Sequence, residues 1–451
     1  MILFIIFFFL AILLVNYFFS KKITNESFFL HDRKARKFLL VLSALSTAIG
    51  GGTIFTLIQF GYQEGIWAII ICGAIGGGLV LASFLGKEIK KQSIQYNLYT
   101  LPEFLKCKYD FKTSVIAIIV NLFSFLFLCS LQILALSTVI SKFLNLNINI
   151  ALFLAFLIAV LYTSIGGLKS DIITDFVQFI FLIPTIPILL VYVGKFINWK
   201  LSNVDFFSIA TSGVNPLLLI IISIFVWMPS IIGSMDLWQR IYASKSEKTA
   251  KEFLFLSGIF LFVILFLFSI IGILSRANPH IQDIAPSLVP IEIISQLPKI
   301  WLAIAIVGVL SALMSTVDSM LIVLSAIFTH DIIKYWKGVK DSKILLKTGR
   351  VSLVAFGLLS LFLAILLPNF VQLLGNALSS LAILTPAIIG GLFTKNLNKK
   401  AGFLSISSGF FIIVLTLIFT LILKSPSLLF VGQILAFIVS GGIFLLIRKT
   451  K

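Results

Sequence analysis

Charge is scarce in this chain and negative charge scarcer still: 12% of its 451 residues are Asp, Glu, Lys or Arg, with 17 acids against 35 bases. A soluble domain carries about 25% charged residues, so a soluble globular protein is excluded. Cysteine and histidine are also rare, at three each. Cys72, Cys107 and Cys129 form no disulfide pattern, and the scattered histidines offer no zinc-type spacing. A long hydrophilic stretch is missing too, since the longest connections between apolar runs are about 20 to 27 residues. That leaves no room for the output domain of a receptor or sensor kinase. Nor is there a convergent nucleophile, base or metal set of the kind a membrane enzyme needs, so the chain is expected not to be an enzyme.

What is present is apolar length. Hydrophobic residues make up 59% of the chain, in runs of the roughly 20 residues that span a bilayer. Unbroken runs exclude a β-barrel, and helices alone satisfy their own backbone in hydrocarbon. The pattern predicts a leading span over 2–20 and spans 1 to 12 near 38–60, 65–86, 113–141, 149–165, 172–194, 215–235, 253–275, 300–329, 351–367, 369–394, 401–423 and 428–447. The first run has no basic residue before it and a poor cleavage site after it, so it reads as an uncleaved span rather than a signal peptide.

Cations orient the bundle. With the N-terminus outside, 29 of the 35 Lys and Arg fall in loops predicted to be inside, including the four from Arg240 to Lys251. The net charge of +18 is thereby scattered over short loops and reads as topology. Nucleic-acid binding would need the charge gathered on one face. With no soluble domain and no catalytic set, passage of something through the bilayer is what remains.

Two spans are broken. Span 1 reads LSALSTAIGGGTIFTLIQFGY, with Gly50, Gly51 and Gly52 near its centre, where each glycine costs a helix up to about 1 kcal/mol relative to Ala. Span 6 reads IFVWMPSIIGSMDLWQR, where Pro229 removes a backbone donor and Gly233 follows. Glycines in membrane helices also permit close packing, and a proline alone can simply kink. Five spans separate the two breaks, so they run in opposite directions, as an inverted repeat would have them. Unwound stretches free carbonyls for ligands.

Span 8 carries SALMSTVDS at 311–319. Ala312, Ser315, Thr316 and Ser319 share one helical stripe, with Asp318 on its flank. Hydroxyls alone could bond back to their own helix. Asp318 has no Lys or Arg partner inside any predicted span, and a buried unpaired carboxylate is too costly to leave ionised. It is therefore protonated, in a wet cavity, or facing a transported cation, and hydroxyls, carbonyls and a carboxylate are the hard oxygens Na⁺ prefers. Asp175, near the start of span 5 after Thr174, reads either as a helix cap or as a carboxylate at the inner mouth. Asp236 and Glu64 fall at span ends and read as solvated.

Five strings together resemble the sodium:solute symporter family, whose members carry proline, pantothenate and sugars. They are span 1 through GYQEG, TLPEFLKCKYD at 100–110, YTSIGGLKSDIITDFVQ at 162–178, WQRIYASKS at 238–246 and SALMSTVDSMLIVLSAIFTHDIIK at 311–334. The resemblance implies an all-α, five-plus-five inverted-repeat transporter fold of about 13 transmembrane helices. Residues 1–37 would hold the leading span and an inner loop, 38–194 the first repeat, 195–394 the second, and 395–451 two trailing helices. It further implies a coupling Na⁺ between spans 1 and 8, held by the carbonyls of Ser46, Ile49 and Ala312 and the hydroxyls of Ser315 and Thr316. Asp175 matches a family acid near the inward exit, and Asp318 is an accessory acid. Nominated solute contacts are Gly51, Thr53, Trp227, Ser230, Gln372 and Asn376.

The expected activity is sodium-coupled uptake of a small organic solute by alternating access, with no organic cofactor and no nucleic acid. The expected place is the lipid bilayer of a plasma membrane, as the cytoplasmic membrane of a bacterium, with the C-terminus inside. Proton coupling through Asp318 is the alternative, and a channel or transport-dead sensor a more distant one.

Overall fold

Backbone in hydrocarbon must bond to itself, and the chain meets this with helices: a computed structural model shows no named strand among the described residues. These are residues 2–19, 24–200, 204–207, 216–282, 284–334, 338–339, 341–394, 396–423 and 426–448. Lys21, Lys22, Lys337, Lys340, Lys395, Lys424, Lys449 and Lys451, which enter the charge count, lie outside them. By length and composition, ten described helices can cross a membrane. One of these is the 45-residue stretch Gly51–Gln95, in which the end of span 1 gives way to span 2 at Gly65 (φ 61°).

Span 1 is two helices, Lys37–Ala48 and Gly51–Glu64, and span 2 follows as Ala68–Gln95. A short loop helix, Leu101–Lys108, starts where the Thr100 hydroxyl accepts the Glu103 N–H at 3.2 Å and the Glu103 carboxylate accepts the Tyr99 N–H at 2.6 Å. This reciprocal cap satisfies donors that a helix start otherwise strands. Span 3 is Phe111–Leu144. Spans 4 and 5 form one continuous stretch, Ile148–Leu182, kinked at Gly167 (φ 62°), and span 5 resumes as Thr185–Phe196 after Pro184. A Cβ on Gly167 would lie 2.3 Å from the Phe28 ring, so this position needs glycine for both conformation and space.

Span 6 extends beyond the predicted 215–235. Pro216–Ile222, a π-turn at Ser223–Trp227 and Met228–Gly233 form its first half; after Ser234 (ψ 114°), Met235–Ala243 forms a second. Span 7 is Glu247–Ser275. Span 8 is Lys299–Ala326 with a π-helical end, Ile327–Lys334. Span 9 is Ser342–Leu366; span 10 is Phe370–Ala382 and Thr385–Phe393; spans 11 and 12 are Lys399–Leu423 and Pro426–Ile447. Interruptions thus fall in spans 1 and 6 and again in spans 5 and 10, each pair five apart. Span 8 forms the axis of the bundle, with every residue from Ala305 to Ala326 buried. At one end of the bundle, a parallel bridge joins Ala35, before span 1, to Ser244, after span 6. Its bonds are Ala35 N–H to Ala243 O and Lys245 N–H to Ala35 O, both 3.0 Å.

Candidate functional site

Span 1 breaks because Gly50 takes an extended conformation (φ −48°, ψ 163°) that no helix propagates. Four carbonyls lose their usual i+4 donor there. Thr47 O accepts the Thr316 hydroxyl at 2.9 Å, and Ala48 O accepts the Thr53 hydroxyl at 2.9 Å. The carbonyls of Ser46 and Ile49 receive no hydrogen bond among the described residues. Close packing and unwinding coincide here: a Cβ on Gly50 would sit 2.2 Å from Thr316 Oγ1, and one on Gly51 would sit 1.9 Å from Leu313. The second half-helix is met by Gln132 of span 3, whose Oε1 accepts the Gly52 N–H at 3.3 Å. Sequence reasoning passed over Gln132, a lone buried amide in an apolar span.

Span 8 lies against this break. The Thr316 hydroxyl also reaches Ala312 O, at 3.0 Å, and the Ser315 hydroxyl donates to Asp175 Oδ1 at 2.6 Å. Each of these hydroxyls spends its proton on a protein acceptor and keeps its lone pairs. Ser46, Ile49, Ala312, Ser315 and Thr316 are all buried.

Beside these neutral oxygens lies a charged cluster centred on Arg240. The inner-loop assignment of Arg240 is corrected: it is 1% exposed on the second half of span 6. Its guanidinium donates to Ser43 Oγ (3.0 Å), Thr47 Oγ1 (2.5 Å), Ser319 Oγ (2.9 Å) and Asp175 Oδ2 (3.2 Å). Asp171 and Asp236 stand at 3.8 and 3.7 Å. Asp175 also accepts the Ser43 hydroxyl at 2.5 Å, and Asp171 accepts Ser319 at 3.0 Å. Asp175 is therefore no cap of its own helix; its oxygens serve spans 1, 6 and 8. Asp171 was missed, although its i, i+4 spacing from Asp175 puts both carboxylates on one helix face.

Asp318 faces the other way, into spans 4 and 5. It is buried, accepts the Thr163 hydroxyl at 2.7 Å, and leaves Oδ2 without a hydrogen bond among the described residues. The adjoining pocket, walled by Tyr162, Asp171 and Thr174, has a free volume of about 10 Å³. One water needs roughly 10–15 Å³, so the space beside Asp318 holds one water at most. Glu64, read as solvated, is fully buried. Asp236 is 17% exposed and is held by the Ser234 hydroxyl.

The nominated solute contacts fall at the breaks. Gly51 begins the second half of span 1, and Thr53 caps the freed Ala48 carbonyl. Trp227 is buried edge-on to Phe60, with ring centroids 6.3 Å apart, so it packs within the protein rather than against lipid. Ser230 donates to Trp227 O at 2.7 Å. At the span 6 break the Pro229 carbonyl accepts the Thr385 hydroxyl from span 10, at 2.7 Å. On span 10, Asn376 is buried and donates to Gln372 O at 2.8 Å, and Phe370 stacks on Phe55 of span 1 at 6.1 Å.

Comparison with known proteins gives a consistent answer. The profile of the sodium:solute symporter family matches residues 28–409. Sodium/proline symporter 2 of Staphylococcus saprophyticus is 25% identical over 94% of this chain and 88% of its own length. The sodium/pantothenate symporter of Haemophilus influenzae is 24% identical over 68% of this chain and 65% of its own length. Among solved structures, a Na⁺-coupled sialic acid symporter in a substrate-bound, outward-open state superposes with a TM-score of 0.77 at 17% identity, covering 97% of this chain and 95% of that one. Mhp1, a nucleobase-cation-symport-1 family transporter, superposes at 0.58 and 15% identity over 93% and 94%. The fold is the inverted-repeat transporter fold of these proteins. The chain belongs to the sodium:solute symporter family, a sodium-coupled secondary transporter with Na⁺ as its coupling ion.

Proposed function

From membership of the sodium:solute symporter family, we propose that this chain takes up a small organic solute together with Na⁺ bound between the span 1 break and span 8. The ligands are the carbonyls of Ser46, Ile49 and Ala312 and the hydroxyls of Ser315 and Thr316. The observation that carries this reading is the pair of unbonded carbonyls, Ser46 and Ile49, at a break closed by the Thr316 hydroxyl. Buried carbonyls are almost always paired, and a bound cation supplies the missing partner.

The orientation follows the cation count, with the N-terminus outside and the C-terminus inside a bacterial cytoplasmic membrane. Residues 38–194 and 195–394 are the two repeats, and 1–37 and 395–451 flank them. Na⁺ arriving from outside fixes span 1 against span 8, which shapes the solute site at Gly51, Thr53, Trp227, Ser230, Gln372 and Asn376. Each charge moved inward releases about 2.3 kcal/mol per 100 mV, equivalent to roughly 50-fold accumulation, so one ion supports useful uptake. The relatives' proline and pantothenate are both small carboxylates, and that is the solute class favoured here.

Asp175 with Arg240 forms the contact that must part for inward release. Asp318, buried and with no Lys or Arg in an ion pair with it among the described residues, carries a proton and orients Thr163 rather than ligating Na⁺. The test is uptake in reconstituted vesicles at fixed potential with and without Na⁺, with Ser315→Ala plus Thr316→Ala as the control. Uptake indifferent to Na⁺ and abolished by collapsing a pH gradient would transfer coupling to Asp318 and sink the assignment.

A further inference from the structure

The start of span 1 meets the start of span 7 in a groove of about 440 Å³, lined by Lys37, Lys248, Lys251, Glu252, Phe255 and Leu256. It lies on the side that the cation count assigns to the inside. Charge in it is unbalanced, with three ammonium groups against one carboxylate. Glu252 already gives one oxygen to each of two of them, Lys37 at 2.9 Å and Lys248 at 3.8 Å. Lys251 has no ion pair or hydrogen bond among the described residues, and Glu247, one turn earlier on the same helix, forms no ion pair among them either. The groove therefore keeps a surplus of positive charge and asks for an anion.

The floor of the groove selects which anion. Phe255 and Leu256 are apolar, and Phe255 is exposed. Lys251, Phe255, Ile259 and Val263 follow one another at i+4 and so share one stripe of span 7, and all three apolar members of the stripe are exposed. The twelve residues from Lys251 to Val263 rise about 18 Å, against about 15 Å for one leaflet of the hydrocarbon core. Phe38, next to Lys37 on span 1, is exposed as well. A free phosphate has no use for such a floor, and an acidic peptide following it would carry unsatisfied backbone into hydrocarbon. An anionic head on acyl chains meets both ends, and basic pockets between spans on the cytoplasmic side hold such headgroups. We propose that this groove binds an anionic glycerophospholipid of the inner leaflet, its phosphate among Lys37, Lys248 and Lys251 and an acyl chain along Phe255 and Ile259. Lys37 belongs to the first half of span 1 and the other two lysines to span 7, so one headgroup ties a half-helix of a broken span to a continuous neighbour.

The test counts lipids on the delipidated full-length protein in non-ionic detergent by native mass spectrometry. Working in K⁺ buffer without Na⁺ keeps both membrane sidedness and the transport site out of the readout. Dioleoyl phosphatidylglycerol is expected to give one saturable adduct, and dioleoyl phosphatidylcholine to bind at least tenfold more weakly. Lys248→Gln plus Lys251→Gln should raise the half-saturating phosphatidylglycerol concentration at least tenfold. Lys347→Gln plus Arg350→Gln removes the same charge from exposed side chains of span 9 and should shift that concentration less than twofold. Equal binding of phosphatidylcholine, an unchanged adduct in the groove variant, an equal loss in the span 9 variant, or displacement by an equal concentration of glycerol 3-phosphate would each overturn the proposal.

Discussion

Two neighbouring regions of span 8 handle polarity in opposite ways. Toward the span 1 break it presents neutral oxygens only: the Ala312 carbonyl and the hydroxyls of Ser315 and Thr316. About one turn on, Ser319 joins a cluster in which Asp171, Asp175 and Asp236 surround Arg240. A site of neutral oxygens carries no fixed charge to desolvate, so it can hold a cation and later release it. The charged cluster sets one guanidinium among three carboxylates, and removing one partner of a buried pair strands the other at a cost of about 3–5 kcal/mol. The first region therefore suits a ligand that comes and goes, and the second a contact that is either made or broken. Ser315 links them: its proton goes to Asp175, which leaves its lone pairs for the ion and makes ion binding and cluster geometry interdependent.

The sharpest way to break this contrast is Arg240→Met. It should cost about 3–5 kcal/mol, seen as a large fall in the detergent melting temperature, and Arg240→Lys should recover only part because one ammonium cannot serve four acceptors. A variant of near wild-type stability would show that the cluster holds nothing. Next in size, Ser315→Ala plus Thr316→Ala should raise the half-saturating Na⁺ concentration tenfold or more, about 1.4 kcal/mol, while leaving the melting temperature in the absence of Na⁺ within a few degrees. A large loss of stability without Na⁺ would place these hydroxyls with the charged region instead. Asp318→Asn should change the Na⁺ half-saturation less than threefold, since an amide replaces a neutral acid of the same shape; a tenfold change would make Asp318 part of the ion site.

The smallest effect is expected at Glu292, whose bond to Lys142 at 2.9 Å holds its carboxyl below the ordinary range. A group with a lowered folded-state pKa contributes at neutral pH, and that contribution is lost as pH falls through the folded value. Glu292→Gln should therefore lower the melting temperature slightly at pH 7 and not at all once wild-type Glu292 is protonated. This half-exposed pair is worth at most about 1 kcal/mol, the solvated counterpart of the Arg240 cluster.

Much of this was legible in the sequence because membranes make composition informative. Apolar length gave the spans, glycine and proline gave the breaks at Gly50 and near Gly233, and hydroxyl spacing gave Ser315 and Thr316. Arg240 was not legible as a buried group. Counting cations assigns every Lys and Arg near a span end to solvent, and only the three-dimensional placement of Asp171 and Asp175 makes burial of a guanidinium affordable. Gln132 failed for a related reason: a single amide in an apolar span carries no pattern, and its role depends on a helix start 80 positions earlier in the chain.

The bridge between Ala35 and Ser244 takes on a mechanical meaning beside Arg240. The first half of span 1 and the second half of span 6 are strapped together at their ends away from the breaks by Ala35 with Ala243 and Lys245, and partway along by Arg240 on Ser43 and Thr47. Two rods pinned at two points cannot hinge independently. They swing as one leaf, so a force applied to either half-helix, whether from a departing ion or a departing solute, opens the same door.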